Sequence, residues 1–235
     1  GPPGVGKTTF ASSVKLARPD EGVLIFDIDV GRESVRDIDL HYAEPPKLLA
    51  ARAAGEDTEG IDKKLSWQEL RDYLDTALAL KGSSPYKTYI FDSLSSIYYE
   101  LLIPKVVGSE TKKVEWPHYA EAQRLLTKFV RDAKSLCEYG INSIFLGHVK
   151  EENDGEITNI RLGLPQGVRN EILLAVNHVG YLTRARNSET RELHLSPPKR
   201  VDGPKLRQTQ SGKQAPLLIT DPTMGKLLDN LKKEK

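Results

Sequence analysis

Apolar and polar positions along this chain alternate between two patterns. Short unbroken apolar runs read as buried strands, and stretches with apolar residues three and four apart read as helices. The pattern predicts a helix over Lys7–Ala17, then a buried strand at Val23-Leu24-Ile25-Phe26-Asp27. A polar stretch containing Gly and Pro follows. Ser66-Trp67-Gln68-Glu69 has the form of a capping box and opens a helix to about Leu80. Lys87 to Asp92 is a second buried strand. His118 to Tyr139 reads as a long amphipathic helix, with Ala122, Leu125, Leu126, Phe129, Ala133 and Leu136 on one face. Ile144-Phe145-Leu146-Gly147 is a third buried strand. Gly180–Ala185 and Glu192–Leu195 suggest a hairpin, and Pro222–Lys235 ends in a short charged helix. Apolar strands alternating with helices predict an α/β fold with a mostly parallel central sheet flanked by helices.

The 235 residues suffice for one sizeable domain. We expect a core over residues 1–220 and a short charged helix or tail over 221–235. No internal repeat or long low-complexity linker interrupts the chain. With 38% apolar and 29% charged residues it reads as soluble and globular. No run of about 18 apolar residues is present to cross a membrane, and no secretory signal is visible. The single cysteine, Cys137, excludes an internal disulfide framework, fits a reducing cytoplasm and is expected as a small buried residue. A net charge of +1 excludes a generic polycation, so any nucleic-acid binding must use local patches.

Gly1-Pro2-Pro3-Gly4-Val5-Gly6-Lys7-Thr8 satisfies G-x-x-x-x-G-K-[ST] at every fixed position. Glycines let backbone N–H groups turn toward phosphates, and the next helix presents its positive end. In this pattern residues 1 to 9, through Thr9, surround ATP; Lys7 reaches the β- and γ-phosphates, and the Thr8 hydroxyl ligates Mg²⁺. Such a loop normally follows a buried strand, so we expect one upstream of Gly1 in the natural protein.

Two strands end in acids. Tyr89-Ile90-Phe91-Asp92-Ser93 has the Walker B pattern, 84 residues after Thr8, and Asp92 is the second candidate for holding Mg²⁺. Phe26-Asp27-Ile28-Asp29 ends the earlier strand. Period 2 puts Asp27 and Asp29 on one side, where either could polarise an attacking water. The histidines other than His148 lack metal-ligand spacing and have no cysteine partners.

Taken together, these residues resemble the RecA-type ATPases, and most of all the small phage nucleotide-binding proteins related to RadA and RecA, some of which are single-strand annealing recombinases. The resemblance rests on the phosphate loop followed by Val-Leu-Ile-Phe-Asp-Ile-Asp, on Ile-Phe-Asp-Ser-Leu, on Phe-Leu-Gly-His-Val-Lys-Glu, and on Gly203-Pro204-Lys205-Leu206-Arg207. It implies that Asp29 stands where the family usually carries a catalytic glutamate, one methylene longer, so that turnover is slow. His148 falls at the position of a polar sensor of the γ-phosphate. Lys205 and Arg207 resemble a pair that reaches a neighbouring subunit's ATP, which implies a head-to-tail ring or filament. Implied too are single-stranded DNA as a partner, a single-strand-binding protein as a further one, and host cytoplasm as the location if the protein is phage-encoded.

RecA-like proteins bind single strands with two loops. The first would span about Pro104–Tyr119, where Lys105, Lys112, Lys113, Trp116 and Tyr119 interleave cations with aromatics. The second would span about Lys150–Glu171, where acids outnumber cations, so that DNA contact requires Arg161 and Arg169 to project inward alone. The alternative reading is a nucleotide-switched loader or regulator that recruits a protein. A small-molecule kinase is disfavoured by the lack of an Arg-rich lid, by Asp92-Ser93 and by the sensor-like His148.

Overall fold

The computed structural model describes residues 1–29, 32–108, 112–154, 157–185, 188–195, 205–206 and 218–232. Contacts divide the chain into two compact units: Glu21–Arg32 with Leu40–Phe145, and Gly1–Asp20 with Glu33–Asp39 and Leu146–Lys235.

The first unit contains β1 (Gly22–Asp27), β2 (His41–Tyr42), α2 (Pro46–Ala54), α3 (Trp67–Leu80), β3 (Tyr86–Asp92), α4 (Leu94–Ser96), α5 (Ile103–Val107), α6 (Trp116–Ser135) and β4 (Asn142–Phe145). Its four strands are parallel in the order β2-β1-β3-β4. Register sets Phe26 beside Phe91, and Phe91 beside Phe145. Strand alternation sends all three rings to one face, where they stack at 4.9 and 5.1 Å between centroids. Tyr73 from α3 and Phe129 from α6 meet this ladder edge-on at 5.6 and 5.2 Å. Ser66 caps α3 with the reciprocal Glu69 bond that its sequence predicts. Arg71 of α3 reaches Asp132 of α6 at 2.6 Å and ties the two helices together.

The second unit contains α1 (Lys7–Ala17), a hairpin of β5 (Val149–Asp154) and β6 (Ile157–Leu162), α7 (Gln166–Ala175), β7 (His178–Val179), β8 (Tyr181–Arg184), β9 (Arg191–His194), β10 (Lys205–Leu206), β11 (Leu218–Thr220) and α8 (Met224–Lys232). Strand β7 pairs with β10, and β11-β9-β8 form an antiparallel sheet. Val5 of the phosphate loop is buried with Leu182, Leu193 and Ile219 of that sheet and with Leu195 just after β9, so the loop is built onto it. Helix α8 lies against α1, where the Met224 N–H donates to Ser13 Oγ at 2.8 Å.

Several expectations change. Residues 46–54 form α2, started by Pro46 in its first turn and ended by Gly55 in the left-handed region, both signals present in the sequence. Both ends of the supposed first loop, Pro104–Tyr119, are helical: α5, reached from α4 through a π-helical segment, Ile97–Leu102, takes its start to Val107, and α6 begins at Trp116. The supposed second loop is the β5–β6 hairpin and most of α7. Cys137 is exposed, because the chain leaves α6 in a 3₁₀ turn that buries Leu136 instead.

Candidate nucleotide site

The phosphate loop has the backbone its glycines permit. Gly4 and Gly6 sit at φ 69° and 91°, left-handed conformations that side chains disfavour. Gly6 is the N-cap of α1, with no side-chain cap and no acid in the first turn. A helix start of that kind suits an anion. Lys7 is 9% exposed, and its Nζ donates to the carbonyl oxygens of Gly1 at 3.1 Å and Pro2 at 2.9 Å. An ammonium held over a ring of backbone groups, beside an uncapped helix start, fits a polyphosphate. Thr8 and Thr9, in the first turn of α1, are half-buried.

The second unit also brings His148 to the loop. Its Nδ1 lies 3.4 Å from Lys7 Nζ. The His148 carbonyl accepts from Gly163 N–H at 2.8 Å, which closes the β5–β6 hairpin behind it. Motif reasoning placed Lys7 and His148 in separate roles; the fold sets them in contact.

In the first unit the acids gather at the carboxyl ends of β1 and β3. These strands flank the point where the chain turns to β2 on one side and to β4 on the other, the usual place for a ligand in an open α/β sheet. Asp27 pairs in register with Asp92, which is 2% exposed. The N–H groups of Ile28 and Asp29 donate to the Asp92 carbonyl at 2.7 and 3.2 Å, and Ser93 Oγ donates to Asp29 Oδ1 at 3.2 Å. The Asp92–Ser93 peptide is cis.

The DNA candidates separate. Lys112 and Lys113 are exposed, and Trp116, at the start of α6, is 81% exposed. Tyr98 anchors this region: its hydroxyl donates to the Tyr119 carbonyl at 3.3 Å, and burial pushes its phenol up to about 12. The inward projection required of Arg161 and Arg169 is not what the hairpin provides. Arg161 Nη1 pairs with Glu152 Oε2 at 3.0 Å. Arg169 is 3% exposed, with Nη1 3.7 Å from Glu152 Oε1, so a nucleic-acid backbone has no access to it. A hydrogen bond from Lys150, with these arginines behind it, holds the Glu152 carboxyl below its usual range. Lys205 contributes backbone to β10, while Arg207 lies outside the described residues.

Sequence reasoning missed Arg184 and Arg191. A Cβ on Gly6 would lie 2.9 Å from Arg191 Cζ, and Arg184 Nη2 is 3.5 Å from the Gly4 carbonyl oxygen. No short-range signal announces these approaches, because about 180 residues separate the partners.

Among the described residues, no group of three or more His, Cys, Asp or Glu has the arrangement of a metal site, and no helix is long and apolar enough to cross a membrane. Among solved structures, the chain is similar to the RadB recombinase at 15% identity (TM-score 0.41, covering 86% of this chain and 81% of that one). It is also similar to a KaiC-like protein from the hyperthermophilic archaeon Pyrococcus horikoshii OT3 at 16% identity (TM-score 0.41, covering 89% and 79%). No curated protein matches it. The family model AAA_24, an AAA domain, matches residues 1–205, which include the left-handed glycines, the buried Lys7 and the strand-end acids. The chain belongs to the AAA_24 family of AAA domains.

Proposed function

We propose that this protein is a RecA-like ATPase that acts on single-stranded DNA, in recombination or annealing of the phage type, as a head-to-tail oligomer. The observation that carries the nucleotide part is the phosphate loop: left-handed Gly4 and Gly6, an uncapped start to α1, and Lys7 Nζ held over the loop carbonyls. On binding, Lys7 would exchange those carbonyls for the β- and γ-phosphates. On the motifs alone, Thr8 and Asp92 are the residues to hold Mg²⁺, which when bound offsets charge on the phosphoryl group being transferred. Asp29, oriented by Ser93, would take a proton from the attacking water. Lys205 and Arg207 would act on a neighbouring protomer's nucleotide. We place the protein in the cytoplasm, that of the host if it is phage-encoded, with a single-strand-binding protein as a further partner.

Exposed Lys112, Lys113 and Trp116 support the DNA part. Against it, Glu152 engages the cations of the second candidate segment. That observation favours a second reading, a nucleotide-switched loader that recruits a protein. ATP turnover measured with and without single-stranded DNA across a salt series separates the two. DNA stimulation that falls steeply with salt supports the first. Turnover indifferent to DNA, in a protein that binds ATP, rejects it.

A further inference from the structure

Two arginines of the second unit converge on the phosphate loop, and the motifs assign neither. Arg184 and Arg191 are direct partners across the antiparallel β8–β9 pair, so their side chains leave the same face of the sheet. They approach the two left-handed glycines of the loop, Arg184 at Gly4 and Arg191 at Gly6. The Arg191 guanidinium fits against Gly6 only because no side chain is there: a Cβ would meet Cζ at 2.9 Å, Nε at 3.1 Å and Nη1 at 3.2 Å.

Like charges directly opposite on a hairpin repel. Among the described residues this repulsion is poorly offset. Arg184 has Glu189 at 3.7 Å, but that carboxylate is 94% exposed, and such pairs contribute little. Among the described residues no carboxylate forms an ion pair with the Arg191 guanidinium; Asp221 Oδ1 accepts from the Arg191 backbone N–H at 3.0 Å. Two opposed guanidiniums beside the phosphate loop are jointly satisfied by a polyanion. An adenine ring, being neutral, would leave the repulsion in place.

We propose that Arg191, with Arg184 beside it, binds the phosphates of a nucleotide held in the same chain's phosphate loop. The proposal rests on the nucleotide reading above. It adds two cations acting in cis, distinct from Lys205 and Arg207, which would act between protomers. Guanidinium suits the task, since its planar donors grip phosphate in pairs.

The test is calorimetric titration of ADP into the full chain and its variants, with the thermal midpoint of each ligand-free protein recorded alongside. Arg191→Met keeps a long unbranched side chain and removes the guanidinium and its charge; Arg191→Lys keeps the charge without the fork. We expect Met to weaken ADP about ten- to a hundredfold, the range for a charge-assisted hydrogen bond, and Lys to recover part of it. Arg184→Ala should weaken ADP severalfold. The Met midpoint should match or exceed wild type, because repulsion is relieved. ADP affinity of the Met variant within twofold of wild type, or equal losses with Met and Lys, overturns the proposal. Failure of the wild-type protein to bind ADP overturns the nucleotide reading itself, and this inference with it.

Discussion

At Gly6 the missing side chain serves the backbone and its neighbour together: φ is 91° and Arg191 occupies the space a Cβ would need. Lys7, the next residue, has its ammonium already aimed at the loop. Lys7→Ala should therefore cost nucleotide affinity at least tenfold, read by titration, with little change in thermal midpoint. Affinity within twofold of wild type would remove the phosphate-loop assignment. Asp29 is the residue-scale question for turnover. Ser93 Oγ donates to its Oδ1 at 3.2 Å, and a glutamate in its place would reach one methylene further. Asp29→Glu should keep or raise the steady-state rate and Asp29→Asn nearly abolish it. If neither changes the rate, Asp27 or another acid activates the water.

Between elements, charge does what apolar packing leaves undone. Burial alone would favour a neutral Asp132, but hydrogen bonds from Lys128 and Arg71 outweigh it and hold this carboxyl below its ordinary range. A depressed folded-state value means the ionised pair stabilises the fold fully above the unfolded value of 3.8, and the contribution fades as pH falls through the lower folded one. Asp132→Asn should lower the thermal midpoint at pH 7 by a few degrees, for about 1 kcal/mol, with the gap to wild type closing on acidification below that value. A gap constant with pH would mean that the amide loses packing rather than charge. On α7, Arg169 is buried with Nε and Nη1 making no hydrogen bond. Arg169→Met should accordingly be neutral or stabilising and leave DNA binding alone. Replacing Lys112 and Lys113 with alanine should flatten the salt dependence of single-strand binding by about 1.4 units, at about 0.7 per phosphate contact. An unchanged slope would put DNA elsewhere on the surface.

For the whole molecule, the open matter is assembly. If Lys205 and Arg207 act on a neighbour's nucleotide, Arg207→Ala and Lys7→Ala protomers should each be inactive and regain some turnover when mixed, because one kind of interface then joins an intact loop to an intact arginine. Turnover per protomer should also rise with protein concentration. No recovery, with a concentration-independent rate, would make Lys205 and Arg207 a basic loop within a self-sufficient chain. The ADP affinity governed by Arg191 should stay the same across that dilution series. Much of this protein was written in short stretches of sequence: the glycines around Lys7, the Ser66 capping box, three apolar strands and the acids at two of their ends. Each is a local signal, decided by residues within a few positions, so each could be read without the fold. The β5–β6 hairpin could not. Its run of Lys150, Glu151 and Glu152 reads as a solvated loop until Arg161 and Arg169 arrive from later in the chain to pair with Glu152. Tertiary structure alone set the Phe26–Phe91–Phe145 ladder, the contact of Lys7 with His148, and the Arg184–Arg191 pair on the phosphate loop. Register and packing between distant segments determine those contacts, and neither leaves a mark on the residues adjacent in sequence.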